Sequence, residues 1–313
     1  MILCCGEALI DMIAAPTIGG GHGFLPQPGG GALNTAIALG RLGQRVGLVT
    51  ALSRDMFGQR LAEALTASHV DLSGAARVDR PTTLAFVQLR DGQPEYAFYD
   101  ENSAGRMLSA TELPPLPPEA SALCLGGISL ACEPGADAYA DLLERHGAGR
   151  VVLIDPNIRP ALVGDEARYR ARLGAMIARA DILRLSDEDL GWLCPDAPDL
   201  RAGARTLLAL GPALVVVTRG AAGATGYLPE GAEVSVPAPR VNVADTVGAG
   251  DTFIAGMLSA LAEQGLLTPA ALAGLRAEAL KPALTHGARV AALAVSRPGA
   301  NPPWAHELAP PPG

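Results

Sequence analysis

Short apolar runs alternate with amphipathic segments along most of this chain of 313 residues. The runs at residues 151–155 and 213–218 are rich in Val, Leu and Ile and have the length of buried strands. Between such runs apolar residues recur at helical spacing, as they do at 32–42 and 165–180, which predicts amphipathic helices. Strands and helices that alternate in this way predict an α/β fold with a doubly wound, mainly parallel sheet flanked by helices.

This pattern assigns most of the chain to predicted strands and helices. The predicted strands cover residues 1–10, 45–52, 82–90, 95–100, 121–125, 151–155, 181–185 and 213–218. The predicted helices cover residues 32–42, 56–68, 134–146, 165–180 and 199–210, a short segment after Ser186, and a segment from Asp251 to a stop near Gly265. Residues 16–31 are rich in Pro and Gly and predict a loop, Asp91-Gly92 predicts a tight hairpin turn, and the Pro-rich tail after Ala309 is expected to fray.

Composition narrows the possible functions. Hydrophobic residues make up 49% of the chain and charged residues 18%, so the protein can bury a large core and is not disordered. A net charge of −8 argues against a nucleic-acid surface and against binding to anionic membranes, and an anionic substrate must be met by local positive potential. Five cysteines without a C-x-x-C pair, no signal-peptide pattern and no membrane-spanning apolar run predict a reduced protein of the cytoplasm.

The segment Asp245-Thr-Val-Gly-Ala-Gly-Asp251 carries the strongest chemical signal, because it directly precedes an apolar helical pattern. Small residues at a helix start leave backbone N–H groups approachable, and the helix dipole adds positive potential there. Such a turn can bind a phosphate or a developing oxyanion, and Asp251 beside it can accept a proton from an attacking hydroxyl. On the residues alone, an ordinary helix cap on a Gly-rich turn is the more favoured explanation.

Other polar residues stand where predicted strands end, which is the edge at which open α/β sheets bind ligands. Each also has a plain structural explanation, as a turn, an Asx turn or a helix cap. Gly29-Gly30-Gly31 could be a flexible linker, but it leads into a helix whose Asn34 needs polar partners of the kind that a polyol supplies. The strand-end residues are Asp11, Asp155-Pro-Asn157-Ile-Arg159, Ser186-Asp-Glu-Asp189 and Thr218-Arg219-Gly220-Ala-Ala-Gly223.

Two of these segments resemble the signatures of one family. Asp245-Thr-Val-Gly-Ala-Gly-Asp251 is similar to the C-terminal signature of the ribokinase-like (PfkB) sugar kinases, and the segment from Gly29 to Gly43 is similar to their N-terminal signature. The resemblance covers essentially the whole chain. It implies one ribokinase-like domain over residues 1–313 with a small β-sheet lid from about 12–25 and 82–105. It further implies an ATP-dependent sugar kinase that uses Mg²⁺ and K⁺ and forms a homodimer through the lid.

The resemblance also implies roles for single residues. Asp251 is the expected base, and the amides of Gly248, Ala249 and Gly250 are the expected anion hole. The expected sugar-binding residues are Asp11, Gly29, Gly30, Gly31, Asn34 and Arg159. The expected nucleotide-binding residues are Ser186, Thr218, Arg219, Gly220, Gly223 and Asn301. The expected monovalent-cation residues are Asp245, Val247, Ala294, Arg297 and Gly299, and Asp189 is expected to hold Mg²⁺ through water. Ser186 and Asp189 stand where the family has Asn and Glu, so direct ligation of Mg²⁺ is less expected.

Three segments point to fructose as the sugar. They are Ser103-Ala-Gly-Arg106-Met-Leu, Leu185-Ser-Asp-Glu and Ser296-Arg-Pro-Gly-Ala-Asn-Pro-Pro, all similar to bacterial fructokinases. The alternatives are 2-keto-3-deoxygluconate and ribose. A sugar phosphate is less favoured, because the Gly-rich segment offers no basic residue, although Arg106 and Arg159 could supply charge. A non-catalytic sugar or nucleotide sensor on the same fold is a further alternative, against which the intact Asp251 argues.

Overall fold

A computed structural model describes residues 1–90 and 93–308. The predicted hairpin turn at Asp91-Gly92 and the predicted frayed tail lie outside the described residues. The strands are β1 (Ile2–Cys5), β2 (Leu9–Pro16), β3 (His22–Gly29), β4 (Val46–Ser53), β5 (Val70–Asp71), β6 (Ala75–Val78), β7 (Leu84–Arg90), β8 (Gln93–Tyr99), β9 (Ala122–Gly126), β10 (Val151–Asp155), β11 (Ile182–Ser186), β12 (Leu214–Thr218), β13 (Ala224–Tyr227) and β14 (Glu233–Val236). The helices are α1 (Gly31–Arg41), α2 (Met56–Ala67), α3 (Gly135–His146), α4 (Glu166–Ile177), α5 (Asp187–Leu193), α6 (Leu200–Leu208), α7 (Ala249–Glu263), α8 (Pro269–Ala273) and α9 (Ala277–Val295).

The main sheet contains ten strands of the described chain. Its order is β14-β13-β12-β11-β10-β9-β1-β4-β5, and β6 also pairs with β4. The strands from β12 to β5 run parallel, whereas β13 and β14 are antiparallel additions at one edge. The predicted α/β fold with a mainly parallel sheet is therefore confirmed. The antiparallel edge and the last two helices, α8 and α9, were not among the predicted elements.

Helices cover both faces of the main sheet, and adjacent residues of one strand belong to different cores. Cys4 belongs to the core on the side of α1, α7 and α9, and Cys5 to the core on the side of α3 and α4. Successive side chains of a strand point to opposite faces, so a strand covered on both faces must be apolar throughout. This explains why β1 and β10 appear in the sequence as continuous apolar runs.

A second, smaller sheet has the order β3-β2-β7-β8. Its edge strand β3 occupies half of residues 16–31, so the loop prediction was wrong for residues 22–29. Pro26 and Pro28 were the cause of this error, because proline cannot donate a hydrogen bond to a neighbouring strand and usually indicates a loop. An edge strand tolerates proline, since one side of its backbone has no partner strand.

The prediction of one strand over residues 1–10 was also wrong. The strand β1 ends at Cys5, and the chain leaves the main sheet at Gly6 and Glu7 before β2 begins at Leu9. Asp11 therefore lies on the second sheet, opposite Gln27 of β3 and Ala85 of β7, and not at the edge of the main sheet. The cause is the Glu7 carboxylate, which is buried and needs hydrogen-bond donors that an apolar strand face does not offer.

Helix α7 packs closely against α9. A Cβ added to Gly256 of α7 would lie 2.9 Å from Cα of Gly287, and a Cβ added to Gly287 would lie 2.8 Å from the carbonyl oxygen of Phe253. Glycine at both positions lets the two backbones approach, which fixes the position of the first turn of α7. In the part of the chain that the structure describes, no helix has the length and hydrophobicity required to cross a membrane.

Candidate active site

The first turn of α7 presents free backbone donors. Gly248 precedes the helix with φ 73°, a left-handed conformation that glycine adopts without strain. The amides of Gly248 and Gly250 have no acceptor among the described residues, whereas the amide of Ala249 donates to the carbonyl oxygen of Thr246 at 3.2 Å. Of the three amides expected to form the anion hole, the structure therefore leaves two available and engages the third within the turn.

Asp251 lies in this turn and is almost entirely buried, with 8% of its surface exposed. Its Oδ2 accepts a hydrogen bond of 2.9 Å from Nδ2 of Asn34, which lies on α1. The pKa of Asp251 is raised to about 7, mainly by burial; the negative charges of Asp155 and Glu7 contribute to the increase, and the hydrogen bond from Asn34 and the charge of Arg184 oppose it. A carboxyl group with this pKa exchanges a proton readily near neutral pH, which suits a general base.

The glycine segment before α1 lies directly beside Asp251. A Cβ added to Gly31 would lie 3.4 Å from Oδ1 of Asp251, 3.3 Å from Oε1 of Glu7 and 4.0 Å from Nδ2 of Asn157. The structure thus brings three residues from distant parts of the chain around one glycine. Gly30 needs to be glycine, because it has φ 104° and a Cβ there would lie 2.6 Å from the carbonyl oxygen of Glu7.

Asp11 closes the site from the second sheet. A Cβ added to Gly29 would lie 2.0 Å from Oδ2 of Asp11, so the carboxylate packs directly on this glycine. Burial raises the pKa of Asp11 to about 6, and Glu7 and Asp245 add to the increase. Of the predicted sugar-binding residues, Gly31 and Asn34 therefore lie directly against Asp251, and Asp11 packs on Gly29, two residues before Gly31. Asp11 arrives from a different sheet than expected.

Glu7 is a buried carboxylate that the sequence analysis did not assign to the site. Its Oε1 accepts a hydrogen bond of 2.9 Å from the amide of Gly31. Its Oε2 accepts bonds of 2.6 Å from Oγ and 3.2 Å from the amide of Ser129, in the turn after β9. These donors satisfy both carboxylate oxygens in a site from which water is largely excluded.

Arg184, on the central strand β11, is a second buried charge that the sequence analysis did not assign. Its Nη1 lies 3.2 Å from Oδ2 of Asp155, and its Nη2 donates to Oγ1 of Thr218 at 2.6 Å. A Cβ added to Gly250 would lie 2.7 Å from Nη1 of Arg184, so the guanidinium lies against the anion-hole turn. Because Asp155 pairs with this guanidinium, Arg184 places a buried ion pair with N–H donors beside the turn, and not an isolated positive charge.

The segment after β10 enters the site through Asn157. Its backbone is in the left-handed region with φ 43°, which is uncommon for a residue other than glycine, and its amide approaches Gly31. Arg159 is exposed, and its Nη1 donates to the carbonyl oxygens of Asn157 and Ile158 at 3.3 and 3.1 Å. Arg159 thus stands at the rim with donors to spare. Arg106 is already engaged, because it forms two bonds of 2.9 and 2.8 Å to Asp100.

Asp189 holds its own turn together. Its Oδ2 accepts from the amide and hydroxyl of Ser186 at 3.1 and 2.8 Å, which completes a capping box at the start of α5. Its Oδ1 accepts from the amide of Ile158 at 2.8 Å. Both oxygens of this buried carboxylate already have donors, so the geometry disfavours direct ligation of Mg²⁺ and leaves the expected contact through water.

The turn after β12 requires glycine at Gly223. A Cβ there would lie 2.1 Å from the carbonyl oxygen of Val236, and the residue has φ 89°, whereas a Cβ on Gly220 would meet open space. Arg219, which is expected to contact the nucleotide, donates from Nη2 to Oγ1 of Thr225 at 3.2 Å, because β13 folds back antiparallel on β12 and places a hydroxyl within reach.

Asp245 connects the turn before α7 to the segment after α9. Its Oδ1 accepts from the amide of Val247 and its Oδ2 from the amide of Gly299, both at 3.0 Å. The structure therefore brings three of the expected cation residues together. The carbonyl oxygen of Ala294 accepts from the amide of Arg297 at 3.1 Å within the end of α9, and the Arg297 side chain pairs with Glu307.

Asn301 uses its side chain within the protein. Its Oδ1 accepts a hydrogen bond of 2.8 Å from Nη1 of Arg41 at the end of α1, and its backbone amide donates to the carbonyl oxygen of Gly299. Arg41 also lies over the ring of Trp304. Asn301 therefore fastens the C-terminal segment to the helix that carries Asn34 at its other end.

Comparison with known proteins identifies the family. The sequence pattern of the pfkB family carbohydrate kinases matches residues 1–307. The chain belongs to this family of carbohydrate kinases. A fructokinase of Rhizobium leguminosarum bv. trifolii is 49% identical over 281 residues, which are 90% of this chain and 86% of that protein. The family predicted from the two signatures is thereby confirmed.

Solved structures of fructokinases share the fold of this carbohydrate kinase. A fructokinase from Xylella fastidiosa with bound ATP superposes with a TM-score of 0.86 at 34% identity and covers 96% of this chain and 93% of that chain. A fructokinase from Vibrio cholerae O395 with fructose, ADP and a calcium ion bound superposes with a TM-score of 0.79 at 25% identity and covers 96% of this chain and 94% of that chain.

Two residues of this carbohydrate kinase carried a signal that the sequence analysis did not use. Glu7 and Arg184 each interrupt an otherwise apolar run, and a charged residue is rarely buried without a partner. A charge inside a predicted buried strand is therefore a candidate site residue in its own right. Its partner cannot be named from the sequence, because Glu7 and Ser129 are 122 residues apart in the chain.

Proposed function

We propose that this carbohydrate kinase is an ATP-dependent fructokinase, which transfers the γ-phosphoryl group of ATP to a primary hydroxyl of fructose. One observation carries the proposal: the buried carboxylate of Asp251 lies between the free amides of the α7 turn and the glycine segment before α1. A base, an anion site and a polyol-binding loop meet there, which is the set of groups that phosphoryl transfer to a hydroxyl requires.

In the proposed mechanism, the ionised Asp251 accepts the proton of the attacking hydroxyl. The sugar oxygen forms a bond to the γ-phosphorus while the bond from that phosphorus to the bridging oxygen of ADP breaks. Negative charge that grows on the transferring group is stabilised by the amides of Gly248 and Gly250, by the dipole of α7 and by the guanidinium of Arg184. Asn34 fixes the orientation of Asp251 throughout, since it donates to the oxygen that does not face Gly31.

In this proposal the protein recognises the sugar mainly through hydrogen bonds to its hydroxyl groups. The carboxylates of Asp11 and Asp251 and the amides of Asn34 and Asn157 can pair with several hydroxyl groups of a free sugar. A sugar phosphate would meet a predominantly acidic surface. Arg106 cannot offset it, because its guanidinium is already paired with Asp100. The geometry therefore supports a neutral sugar, and the similarity to fructokinases supports fructose among neutral sugars.

A second candidate substrate is 2-keto-3-deoxygluconate, which one specific observation favours. Arg159 stands exposed at the rim and donates only to backbone carbonyl oxygens among the described residues, so its remaining donors could bind a sugar carboxylate. Ribose remains a third candidate, because it lacks only one carbon of the hexose skeleton.

The proposed nucleotide contacts are the turn from Thr218 to Gly223 and the region of Ser186. Mg²⁺, when bound, would neutralise phosphate charge, and we assign it to the nucleotide oxygens and to waters near Asp189, whose oxygens are engaged with the chain. The backbone carbonyl groups of Asp245, of Val247 and of the turn after α9 are hard oxygen donors, which fit a monovalent cation such as K⁺. The Asp245 carboxylate accepts from the amides of Val247 and Gly299 and would hold these two segments together. That cation would steady the anion-hole turn.

We propose that the second sheet is the lid of a single domain over residues 1–313 and that it pairs two subunits into a homodimer. Phe24 and Tyr99, on one face of this sheet, are 41% and 60% exposed and contact Phe86 between them. Exposed aromatic rings of this kind are typical of interfaces. Light scattering coupled to size exclusion would give twice the chain mass if the proposal is right. We also propose a cytoplasmic location, since all five cysteines are free thiols.

The experiment that tests the substrate measures ADP formation from Mg-ATP and K⁺ with fructose, ribose, 2-keto-3-deoxygluconate, glucose, adenosine and fructose 6-phosphate. We expect turnover on fructose well above the others. Preference for another sugar would keep the mechanism and replace the substrate. Turnover on none, with sugar binding still measurable by calorimetry, would support the sensor alternative.

The role of Asp251 is tested with Asp251→Asn, which keeps the shape and the acceptor for Asn34. We expect kcat to fall by about 10²- to 10⁴-fold with sugar affinity nearly unchanged, because only the proton acceptor is lost. An equal loss of sugar binding would show that Asp251 is structural and not a base.

A further inference from the structure

Glu7 lies where the chain passes from the main sheet to the second sheet. It follows β1, which ends at Cys5, and precedes β2, which begins at Leu9 and carries Asp11. This is one of the points at which the chain passes between the two sheets, and the others include the connections from β3 to α1 and from β8 to β9. A side chain that is fixed here anchors the start of the strand that carries Asp11.

The Glu7 carboxylate is fixed by three donors from two other parts of the chain. The amide of Gly31 at the start of α1 binds one oxygen, and the amide and hydroxyl of Ser129 bind the other. The backbone of Glu7 contributes as well, because its carbonyl oxygen accepts from the amide of Leu33 at 3.3 Å. Hydrogen bonds to an ionised carboxylate are stronger than those between neutral groups, so this junction is held firmly.

The turn after β9 is shaped to receive this carboxylate. Gly127 has φ 74°, and a Cβ on it would lie 2.1 Å from Oε1 of Glu7. No other residue type could occupy this position without displacing Glu7. Glu7, Gly127 and Ser129 therefore form one arrangement, in which Gly127 makes room for the buried carboxylate and the hydroxyl of Ser129 binds it. The same carboxylate also binds Gly31 in the proposed sugar-binding glycine segment.

Glu7 also acts on Asp251 through charge. Oxygens of both carboxylates lie within 3.4 Å of the same Cβ position on Gly31. The groups that face Asp251 from the packed elements are Asn34 of α1, Asp155 of β10, Arg184 of β11 and Glu7 itself. At a separation of about 7 Å and effective dielectric constants between about 25 and 70, one negative charge raises a neighbouring carboxyl pKa by roughly 0.5 to 1.5 units.

We infer that Glu7 is a positioning residue for the transfer reaction, which holds the glycine segment in place and keeps a fixed negative charge beside Asp251. It touches no reacting atom. This inference rests on the proposed kinase mechanism, in which Asp251 is the base. The donors that satisfy both oxygens of Glu7 let this carboxylate stay buried, and they fix it beside the Gly31 position that Asp251 also contacts.

The test compares three variants of the full chain in steady-state kinetics across pH 5.5–9. Glu7→Gln removes the charge and retains the shape, Glu7→Asp retains the charge and shortens the reach, and Ser129→Ala removes one donor and leaves the charge. We expect the acid limb of the pH profile of kcat to shift by roughly 0.5 to 1.5 units toward lower pH in Glu7→Gln. In the other two variants the limb should stay at the wild-type pH. The KM for sugar should rise about tenfold in Glu7→Gln and Glu7→Asp, while the KM for ATP is unchanged in all three.

Two results would overturn the inference. One is an unchanged acid limb and unchanged sugar KM in Glu7→Gln together with a lower Tm, which would make Glu7 purely structural. The other is an equal shift of the limb in Ser129→Ala, which would trace the effect to packing and not to charge. If Glu7→Gln does not fold, Glu7→Asp and Ser129→Ala still test the inference. It requires that Glu7→Asp raise the KM for sugar while the acid limb of its kcat profile stays at the wild-type pH.

The failure of this inference can be distinguished from failure of the proposed substrate. If the wild-type protein prefers another sugar, the same comparison is made with that sugar. If no sugar is turned over, the proton affinity of Asp251 is obtained without turnover, from the pH dependence of unfolding in proteins with and without Asp251→Asn. The quantity compared is the free energy of unfolding with Asp251→Asn minus that without it. This difference should reach its plateau at a lower pH when both proteins also carry Glu7→Gln. An identical pH dependence with and without Glu7→Gln would contradict the inference.

Discussion

Replacing Asp251 by Asn should stabilise the protein against unfolding at neutral and alkaline pH, although it removes the proposed base. Burial raises the pKa of Asp251 from 3.8 to about 7, assisted by the charges of Asp155 and Glu7. A carboxyl group with a higher pKa in the folded state binds its proton more tightly there than in the unfolded chain. Its contribution to stability is therefore fully present below about pH 4 and is lost as the pH rises toward 7.

The size of the effect follows from these two pKa values. The ionisation of Asp251 costs roughly 1.7 kcal/mol of folding free energy at pH 5 and roughly 4 kcal/mol at pH 8. Asparagine does not titrate, and its side-chain oxygen still accepts from Asn34. The free energy of unfolding of Asp251→Asn, relative to that of the wild type, should therefore increase by roughly 2–3 kcal/mol between pH 5 and pH 8.

The assay is urea unfolding followed by far-UV circular dichroism at several pH values from 5 to 8. Asp196→Asn serves as the control, because Asp196 is exposed and the substitution removes the same charge without releasing a buried one. We expect the control to differ from the wild type by less than about 0.5 kcal/mol at every pH. A difference for Asp251→Asn that stays constant with pH, or that shrinks as the pH rises, would refute the reasoning that links burial to the proton affinity of this base.

Three further predictions concern rate and packing. The kcat of the wild-type enzyme should fall about tenfold per pH unit below about pH 7, because protonated Asp251 cannot accept a proton, and a flat profile down to pH 5.5 would contradict this. Gly250→Ala should lower kcat about 10²-fold with little change in Tm, since its Cβ would meet the guanidinium of Arg184 at 2.7 Å, and kinetics with Gly174→Ala as the matched control checks this. Gly256→Ala should lower the free energy of unfolding by about 1–3 kcal/mol, because its Cβ would lie 2.9 Å from Gly287, and an unchanged urea midpoint would show that α9 can move away.

Local patterns in the sequence were sufficient for most of the elements. The periods that distinguish helices from strands are properties of neighbouring residues, so α1, α2 and β10 begin and end within one residue or two of their predicted bounds. The same patterns failed at β3, where proline in an edge strand resembles a loop. They also failed at Gly6, where the chain leaves the main sheet inside an apolar run.

The sequence by itself determined the family, the α/β alternation and the position of a carboxylate at a glycine-rich helix start, because glycine positions, caps and apolar periods are properties of adjacent residues. Only the tertiary structure decided which residues the side chains of the site contact. Asn34 reaches Asp251 across 217 residues of chain, Arg184 meets the anion-hole turn, and Arg219 turns to β13. Side-chain direction and the pairing of buried charges depend on which distant segments pack together, and no local pattern specifies that packing.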